Sequence, residues 1–379
     1  MKTFAAIATY LISKRLTSSQ SMAKWFVPLL GQFGEKGKDA FYQGEFHEAI
    51  RQLYDSRVIN SEITSHLLQI TLWLDEAISQ VEEMEHSGIK ILLPGDFGFP
   101  AEFAEIADKP AVLYYRGNLE ILVAKEKITL VGTRNPSLWG QMKAKQFAFE
   151  AANCGVVTVS GLAQGVDSLV FEETLRARGK TIAILPQLPK TEIRENAEYA
   201  LLISEYPPGE AEISKWQFVA RNRLLAALSP ATVIIEAPLR SGTLITAELA
   251  LSYGRSVYVV MPDPNEEVSY GGLAFGIQQT LGTFIQSLYD LLYLEERGEL
   301  LEKYKLFIER LSQGKLVIKQ KDHRHLSQAD IKRYIYASSK GDLSCFESFV
   351  VELHRFGIIR ERKNKIVINF SGYNSWPKT

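Results

Sequence analysis

The pattern of apolar residues differs between two parts of the chain. Over the first 90 residues, apolar side chains recur at intervals of three and four, as at Ile63, Leu67, Ile70 and Leu74, which predicts amphipathic helices. From residue 128 onward, short runs rich in Val and Ile alternate with helical stretches. Most of these runs lack polar alternation, which is typical of strands that are buried on both faces of a parallel sheet.

The order of these elements predicts the fold class. The predicted strands are 128–131, 156–159, 181–185, 201–203, 232–235 and 256–261. Helices fit between them, for example at 140–153 and 167–178. A β-α repeat of this kind predicts an α/β fold with an extended Rossmann-type, doubly wound parallel sheet.

The last part of the chain has a different pattern. A polar connection at 313–324 precedes two predicted helices, 326–337 and 344–355, and two short predicted strands, 358–360 and 366–369. Helices followed by a hairpin are typical of a winged helix. We therefore expect three domains: a helical accessory domain at 1–90, a Rossmann-type domain at 91–312 and a winged-helix-like domain at 313–379.

Composition and charge narrow the class of protein. Of the 379 residues, 46% are hydrophobic and 23% charged, the balance of a soluble globular protein, and no apolar run reaches membrane-spanning length. The two cysteines, Cys154 and Cys345, match no metal-ligand spacing, which favours reduced thiols in the cytoplasm. The net charge of -1 conceals a basic tail with 16 Lys and Arg against 7 Asp and Glu at 303–379. Such a tail indicates a polyanionic partner, although charges spread over a solvated surface would give the same count.

Glycine-rich segments follow three of the predicted strands, where a parallel sheet places its ligands. They are GTRNPS at 132–137, SGLAQGVD at 160–167 and EAPLRSGTLIT at 236–246. Such loops let backbone N–H groups approach an anion, and the helix that follows adds its dipole. Arg134 is suited to a bidentate phosphate contact. Neither a Walker loop nor a dinucleotide fingerprint is present.

A fourth segment, FVARNRLL at 218–225, precedes the fifth predicted strand. Helical spacing places Arg221 and Arg223 on different faces, so that one or both reach the loop edge. Arginines bind phosphates, and an aromatic ring such as Phe218 offers a stacking surface to bases. The alternative is a surface helix whose arginines are merely solvated.

Taken in order, these motifs resemble the signature of the DprA/Smf DNA-processing family. The resemblance spans roughly residues 90 to 285 and includes LLPGDF (92–97), PAVLYYRGN (110–118), VGTR (131–134), SGLAQGVD (160–167), SEYPPG (204–209), FVARNR (218–223) and EAPLRSGTLITA (236–247). It implies a homodimer that binds single-stranded DNA in a basic pocket, protects the strand and loads a RecA-type recombinase in natural transformation or recombination. The residues that it assigns to DNA or phosphate binding, with those of the third loop, are Gly132, Thr133, Arg134, Ser160, Gly161, Ala163, Gly165, Phe218, Arg221, Asn222, Arg223, Ser241, Gly242 and Thr243.

The chain departs from the family pattern at several positions, which include Pro262-Asp263 after the last predicted strand and Gly272-Leu273. Phe171 stands where the family usually has a histidine, and PQLPK at 186–190 replaces a glycine-rich stretch. We expect Lys190 and Arg194 to restore positive charge beside that altered loop.

An enzymatic alternative rests on Ser241, Gly242 and Thr243 followed by Glu248, which resemble a loop of nucleotide-processing proteins of the lysine-decarboxylase-like group. Glu236 and Glu248 would then act on a ribose or a base. The double glycine of that group is absent, however, and all six histidines lie outside the core motifs. We therefore expect no catalytic site, metal or cofactor. A transcription factor that uses only the winged helix would leave the three loops unexplained.

Overall fold

The structure is a computed structural model of the chain. It describes residues 1–36, 38–189, 197–209, 213–262, 268–269, 271–278, 283–288, 290–291, 359–362 and 365–368. Among the described helices, none combines the length and apolar character needed to cross a membrane.

The N-terminal part is helical, as predicted. Its five α-helices are α1 (Lys2–Ser13), α2 (Ser19–Phe33), α3 (Gly44–Asp55), α4 (Ser61–Leu68) and α5 (Leu74–His86), with short 3-10 helices at Lys38–Tyr42 and Ile70–Leu72. Polar side chains start two of them: Ser18 accepts a hydrogen bond from the Ser21 N–H (3.1 Å), and Asn60 accepts one from the Ile63 N–H (2.8 Å). Such N-caps satisfy backbone donors that have no partner within the helix.

A nine-stranded sheet forms the rest of the described core. Its strands are β1 (Lys90–Leu92), β2 (Leu113–Gly117), β3 (Lys127–Val131), β4 (Val157–Ser160), β5 (Thr181–Ile184), β6 (Ala200–Ser204), β7 (Ala231–Ile234), β8 (Ser256–Val260) and β9 (Thr283–Ile285). The helices between them are α6 (Ala101–Ala104), α7 (Leu138–Asn153), α8 (Val166–Arg176), α9 (Lys215–Leu228), α10 (Gly242–Ser252) and α11 (Gly271–Gln278).

The strand order is β1-β2-β6-β5-β4-β3-β7-β8-β9, and the seven strands from β6 to β9 in this order are parallel. The predicted doubly wound sheet is confirmed, with all six predicted strands within two residues of their observed bounds. Strands β1, β2 and β9 were not predicted. Both β1 and β9 have only three residues, and the antiparallel β2 contains Arg116 and ends at Gly117, so their patterns are weak.

The order of strands reverses beside β3. From β3 the chain runs outward through β4, β5 and β6 and then returns to β7 on the other side of β3. The carboxyl ends of β3, β4 and β7 therefore meet at a topological switch point, where open α/β sheets form their ligand sites.

The N-terminal helices pack against this sheet. Buried residues of α1 and α2, such as Phe4 and Phe26, belong to one hydrophobic cluster with Tyr114 of β2 and Leu202 of β6. A buried hydrogen bond of 2.9 Å joins the Thr9 and Tyr114 hydroxyl groups. The division expected at residue 90 thus falls between two segments that share a core.

Near the C-terminus, β10 (Ile359–Arg362) and β11 (Lys365–Ile368) pair antiparallel, which matches the hairpin expected there. The helices expected at 326–337 and 344–355 lie outside the described residues, as do Cys345 and the 313–324 connection. The winged-helix-like domain at 313–379 therefore stays a prediction.

The contact between Thr9 and Tyr114 gives a stability prediction. Thr9→Val should lower the free energy of unfolding by about 1–3 kcal/mol, because it leaves the buried Tyr114 hydroxyl without a partner. Adding Tyr114→Phe removes that hydroxyl, so the double variant should be more stable than Thr9→Val alone. Urea unfolding followed by circular dichroism measures both. A double variant less stable than Thr9→Val would show that this bond does not join the helices to the sheet.

Candidate nucleic-acid interface

The three glycine-rich loops meet at the switch point, as their positions after β3, β4 and β7 predict. The Thr133 N–H donates to the Glu236 carbonyl (2.7 Å), and the Val166 N–H donates to the Thr133 carbonyl (3.1 Å). The Thr243 hydroxyl donates to the Gly132 carbonyl (2.9 Å), so the loop after β7 also touches the loop after β3. One continuous edge is therefore built from segments more than 100 residues apart in the chain.

Close approach of backbone explains two of the glycines. Gly165 has a φ of +94°, and a Cβ there would overlap the carbonyl groups of Thr133 and Arg134. A Cβ at Gly161 would overlap the Asp167 carboxylate and the Arg221 guanidinium. Both positions therefore require glycine for the loops to lie this close together.

Two opposite charges, Asp167 and Arg221, are buried beneath the second loop. Asp167 accepts a hydrogen bond from the Gly161 N–H (3.0 Å), while the Arg221 guanidinium donates to the Gly161 carbonyl (2.6 Å) and to the Ile184 carbonyl. Burial raises the pKa of Asp167, and the Arg221 charge with three backbone N–H groups opposes that rise. Burial likewise lowers the pKa of Arg221, and Asp167 opposes this shift.

The two arginines of the 218–225 segment both have internal partners. Arg221 is 6% exposed and holds the β4 loop against the end of β5. Arg223 is 3% exposed, and its Nη2 donates to Glu205 Oε1 (2.6 Å), with Asp108 Oδ2 3.4 Å from its Nε. Helical spacing does put them on different faces, but their geometry favours positioning of the loops over direct phosphate contact.

Other groups lie at the exposed rim of this edge, by which we mean Arg134, Lys215, Phe218 and Asn222. Arg134 is exposed, and its guanidinium carbon lies 5.4 Å from the centroid of the half-buried Phe218 ring, a cation–π contact. Lys215, three residues before Phe218 on α9, is exposed as well, and Asn222, four residues after it, donates to the Gly242 carbonyl at 3.5 Å. Sequence reasoning missed Lys215, although its helical spacing from Phe218 places it on the same face.

The other candidate residues lie inside or at the edge of this rim. Ser160 is buried and its hydroxyl donates to the Asp167 carbonyl (3.2 Å), and Thr133 is 8% exposed. Ala163 and Ser241 are half-buried, and Gly242 is exposed where α10 begins. Backbone amides at a helix start carry partial positive charge, so this end of α10 favours an anion.

Glu236, a candidate acid in the enzymatic alternative, is fully engaged. Its Oε2 accepts from the Ser137 N–H (3.0 Å) and the Ser137 hydroxyl (2.8 Å), and its Oε1 accepts from the Ser269 N–H (2.9 Å). Ser137 in turn caps α7 by accepting from the Gly140 N–H (3.0 Å). This arrangement is typical of a structural carboxylate that fixes a loop and a helix start.

Two of the positions that depart from the family pattern have structural contacts in the described part of the chain. Phe171 is buried in the cluster that joins α8 to the N-terminal helices. The Gln187 side chain donates to the Pro207 carbonyl (3.0 Å), which ties the altered loop to the segment after β6. Lys190 and Arg194 lie outside the described residues, so the charge expected from them stays a prediction.

The sequence comparisons with known proteins agree on one family. The sequence profile of the family described as DNA recombination-mediator protein A matches residues 90–293, more than half of the chain. The chain is 36% identical over 170 residues to DNA processing protein DprA of Bacillus subtilis, covering 43% of this chain and 57% of that protein. It is 34% identical over 204 residues to Protein Smf of Synechocystis, covering 51% of each. These matches thus span only about half the length of the curated relatives.

A solved structure of DNA processing protein A from Helicobacter pylori is also similar. It shares 28% identity with a TM-score of 0.47, covering 57% of this chain and 96% of that one. That structure is described as giving insight into a single-stranded DNA binding mode.

The contacts of Glu236 generate a test at the site. Glu236→Gln should lower the free energy of unfolding by about 1–3 kcal/mol, because the amide nitrogen cannot accept from the partly buried donors of Ser137 or Ser269. Glu248→Gln is the matched control, since Glu248 is exposed on α10 and the change should stay within about 0.5 kcal/mol. Urea unfolding of the two variants measures the difference in stability. Equal stability of Glu236→Gln and Glu248→Gln would show that Glu236 does not stabilise these loops.

Proposed function

The chain belongs to the DNA recombination-mediator protein A family, and on this basis we propose that it binds single-stranded DNA without reading its sequence. The bound strand is protected and handed to a RecA-type recombinase during recombination or natural transformation. The main observation in support of this proposal is the contact of exposed Arg134 with Phe218. It lies beside three loops that converge on one sheet edge.

The chemistry of this edge supports a strand over a duplex. Arg134, Lys215 and the start of α10 offer positive charge to phosphates. The Phe218 ring offers a face on which any base can stack, and such stacking requires an unpaired base. Groups that contact only the phosphate backbone and the faces of the bases bind a strand with little preference for its sequence.

The buried arginines contribute by a different route. Arg221 fixes the loop at 160–165 through the Gly161 carbonyl, and Arg223 fixes α9 against the end of β6 through Glu205. Both therefore fix the position of the helix that carries Phe218 and Asn222. Their own charges interact with groups inside the protein and not with the strand.

We propose a direct test with labelled oligonucleotides. Wild-type protein should bind a single strand more tightly than a duplex of equal length, and mononucleotides should compete poorly. Arg134→Ala should weaken single-strand binding about tenfold or more, because a charge-assisted hydrogen bond contributes about 1.5–3 kcal/mol. It should also reduce the slope of log K against log salt by about 0.7, the share of one phosphate contact.

Arg51→Ala is the control for that measurement. Arg51 is exposed on α3, so the substitution removes the same charge from a different surface. Its effect on affinity and on the salt slope should be small.

Two outcomes would contradict the proposal. Strong displacement of the strand by a mononucleotide would favour the nucleotide-processing alternative instead. Unchanged binding by a folded Arg134→Ala variant would show that Arg134 does not contact the strand.

We further propose that the chain acts as a homodimer. Two linked pockets hold a flexible polymer at two points and raise the effective concentration of the second contact. Light scattering across protein concentrations, with and without a strand, should give twice the monomer mass. A monomer under every condition would contradict the dimer. The recombinase step is measured separately, as faster assembly of a RecA-type filament on a strand when this protein is added.

A further inference from the structure

A second groove lies beside the rim, between the turn that joins α1 to α2 and the start of α9. Its volume is about 550 Å³, and its lining includes Arg15, Thr17, Gln187, Tyr206, Pro208 and Trp216. We propose that this groove is a base-stacking subsite that takes the next nucleotides of a single strand already held at Arg134 and Phe218. The proposal rests on the function proposed above and extends its binding surface onto the N-terminal helices.

The aromatic pair in the groove has the form of a stacking platform. Trp216 is 51% exposed, which is unusual for the largest apolar side chain. Its ring meets the half-buried Tyr206 ring edge to face, with centroids 6.0 Å apart and an interplanar angle of 78°. Tyr206 therefore packs against the Trp216 indole, and about half of the Trp216 surface stays exposed to a ligand. Base stacking on such a ring contributes about 1–3 kcal/mol per base.

Charge at the groove suits a phosphate backbone. Among the described residues that line it, Arg15 is the only charged one, and it is exposed. The turn that presents Arg15 is fixed by hydrogen bonds from the Arg15 N–H to the Ile12 carbonyl (2.9 Å) and from the Leu16 N–H to the Leu11 carbonyl (3.0 Å). A polyanion meets a positive side chain here and no lining carboxylate within the described part of the chain.

The groove and the rim both adjoin the first turns of α9, which carry Trp216 and Phe218. Trp216 and Phe218 are two residues apart, so they project about 200° apart around the helix axis. A strand that passes from one ring to the other crosses the start of α9, over a distance of about 10–12 Å, the width of a helix with its side chains. Exposed Lys215 directly precedes Trp216 at the start of this helix, and Ser214 caps the helix there by accepting from the Gln217 N–H (3.4 Å). The path therefore passes a positive charge and the positive end of a helix dipole.

The test measures affinity for oligothymidylates of increasing length. Trp216→Ala should leave the affinity for the shortest strand that binds unchanged and should weaken binding of longer strands about tenfold. Val219→Ala is the matched control, because Val219 is 52% exposed on the same helix and is absent from the groove lining. Trp216→Tyr should restore most of the lost affinity, since it keeps an aromatic face. Arg15→Gln should weaken only the longer strands and reduce their salt slope, whereas Arg51→Gln should do neither.

A measurement on the unaltered protein makes the test independent of the folding of any variant. A single 2-aminopurine is moved along an oligothymidylate, and its fluorescence should be quenched at two separate stretches of positions in complex with wild-type protein. Trp216→Ala should abolish only one of them.

Four outcomes separate the proposals. Absence of any single-strand binding by the wild type would overturn the proposed function itself. Equal affinities of Trp216→Ala and Val219→Ala at every length, or one quenched stretch in the wild type, would overturn the subsite alone. An equal loss for short and long strands would also overturn it, because Trp216 would then act at the rim.

Discussion

A charge taken out of water must be surrounded by opposite charge and hydrogen-bond partners, and at this sheet edge that requirement decides where three chain segments lie. Asp167 and Arg221 meet the loop after β4 from two sides, one accepting from Gly161 and the other donating to it. Because a side chain at Gly161 would collide with both charged groups, the loop is held at a single distance from α9. The positions of Asp167 and Arg221 therefore determine the shape of the rim.

The arginines divide into two kinds by their surroundings. Arg221 and Arg223 are buried, and each has a carboxylate nearby, so they fix backbone and helix positions. Arg134 remains at the surface against the Phe218 ring, where its charge is open to an anion. This separation lets the protein keep a rigid support under an exposed contact surface. The loss of a buried member should therefore disturb the whole edge, whereas the loss of Arg134 should remove one contact.

The N-terminal helices are more than an appendage to the sheet. They share a buried cluster with β2, β5 and β6, and Ser19 accepts a hydrogen bond from the Ala111 N–H (3.0 Å) at the approach to β2. The same packing brings the turn after α1 beside Tyr206 and Trp216 and so creates the second groove. A helical unit that supports the sheet can thereby also widen the surface offered to a strand.

Local pattern was enough to predict much of this molecule. Unbroken Val and Ile runs gave the six central strands of a parallel sheet, and glycine-rich segments directly after β3, β4 and β7 had to meet at one edge, because parallel strands end on the same side. Tertiary structure alone decided which polar groups are buried. Arg221 finds Asp167 54 positions earlier and Arg223 finds Glu205 18 positions earlier, and no periodicity in the chain carries such pairings. The same holds for the groove at Trp216, because its lining includes a turn about 200 residues earlier in the chain and no local pattern indicates that proximity.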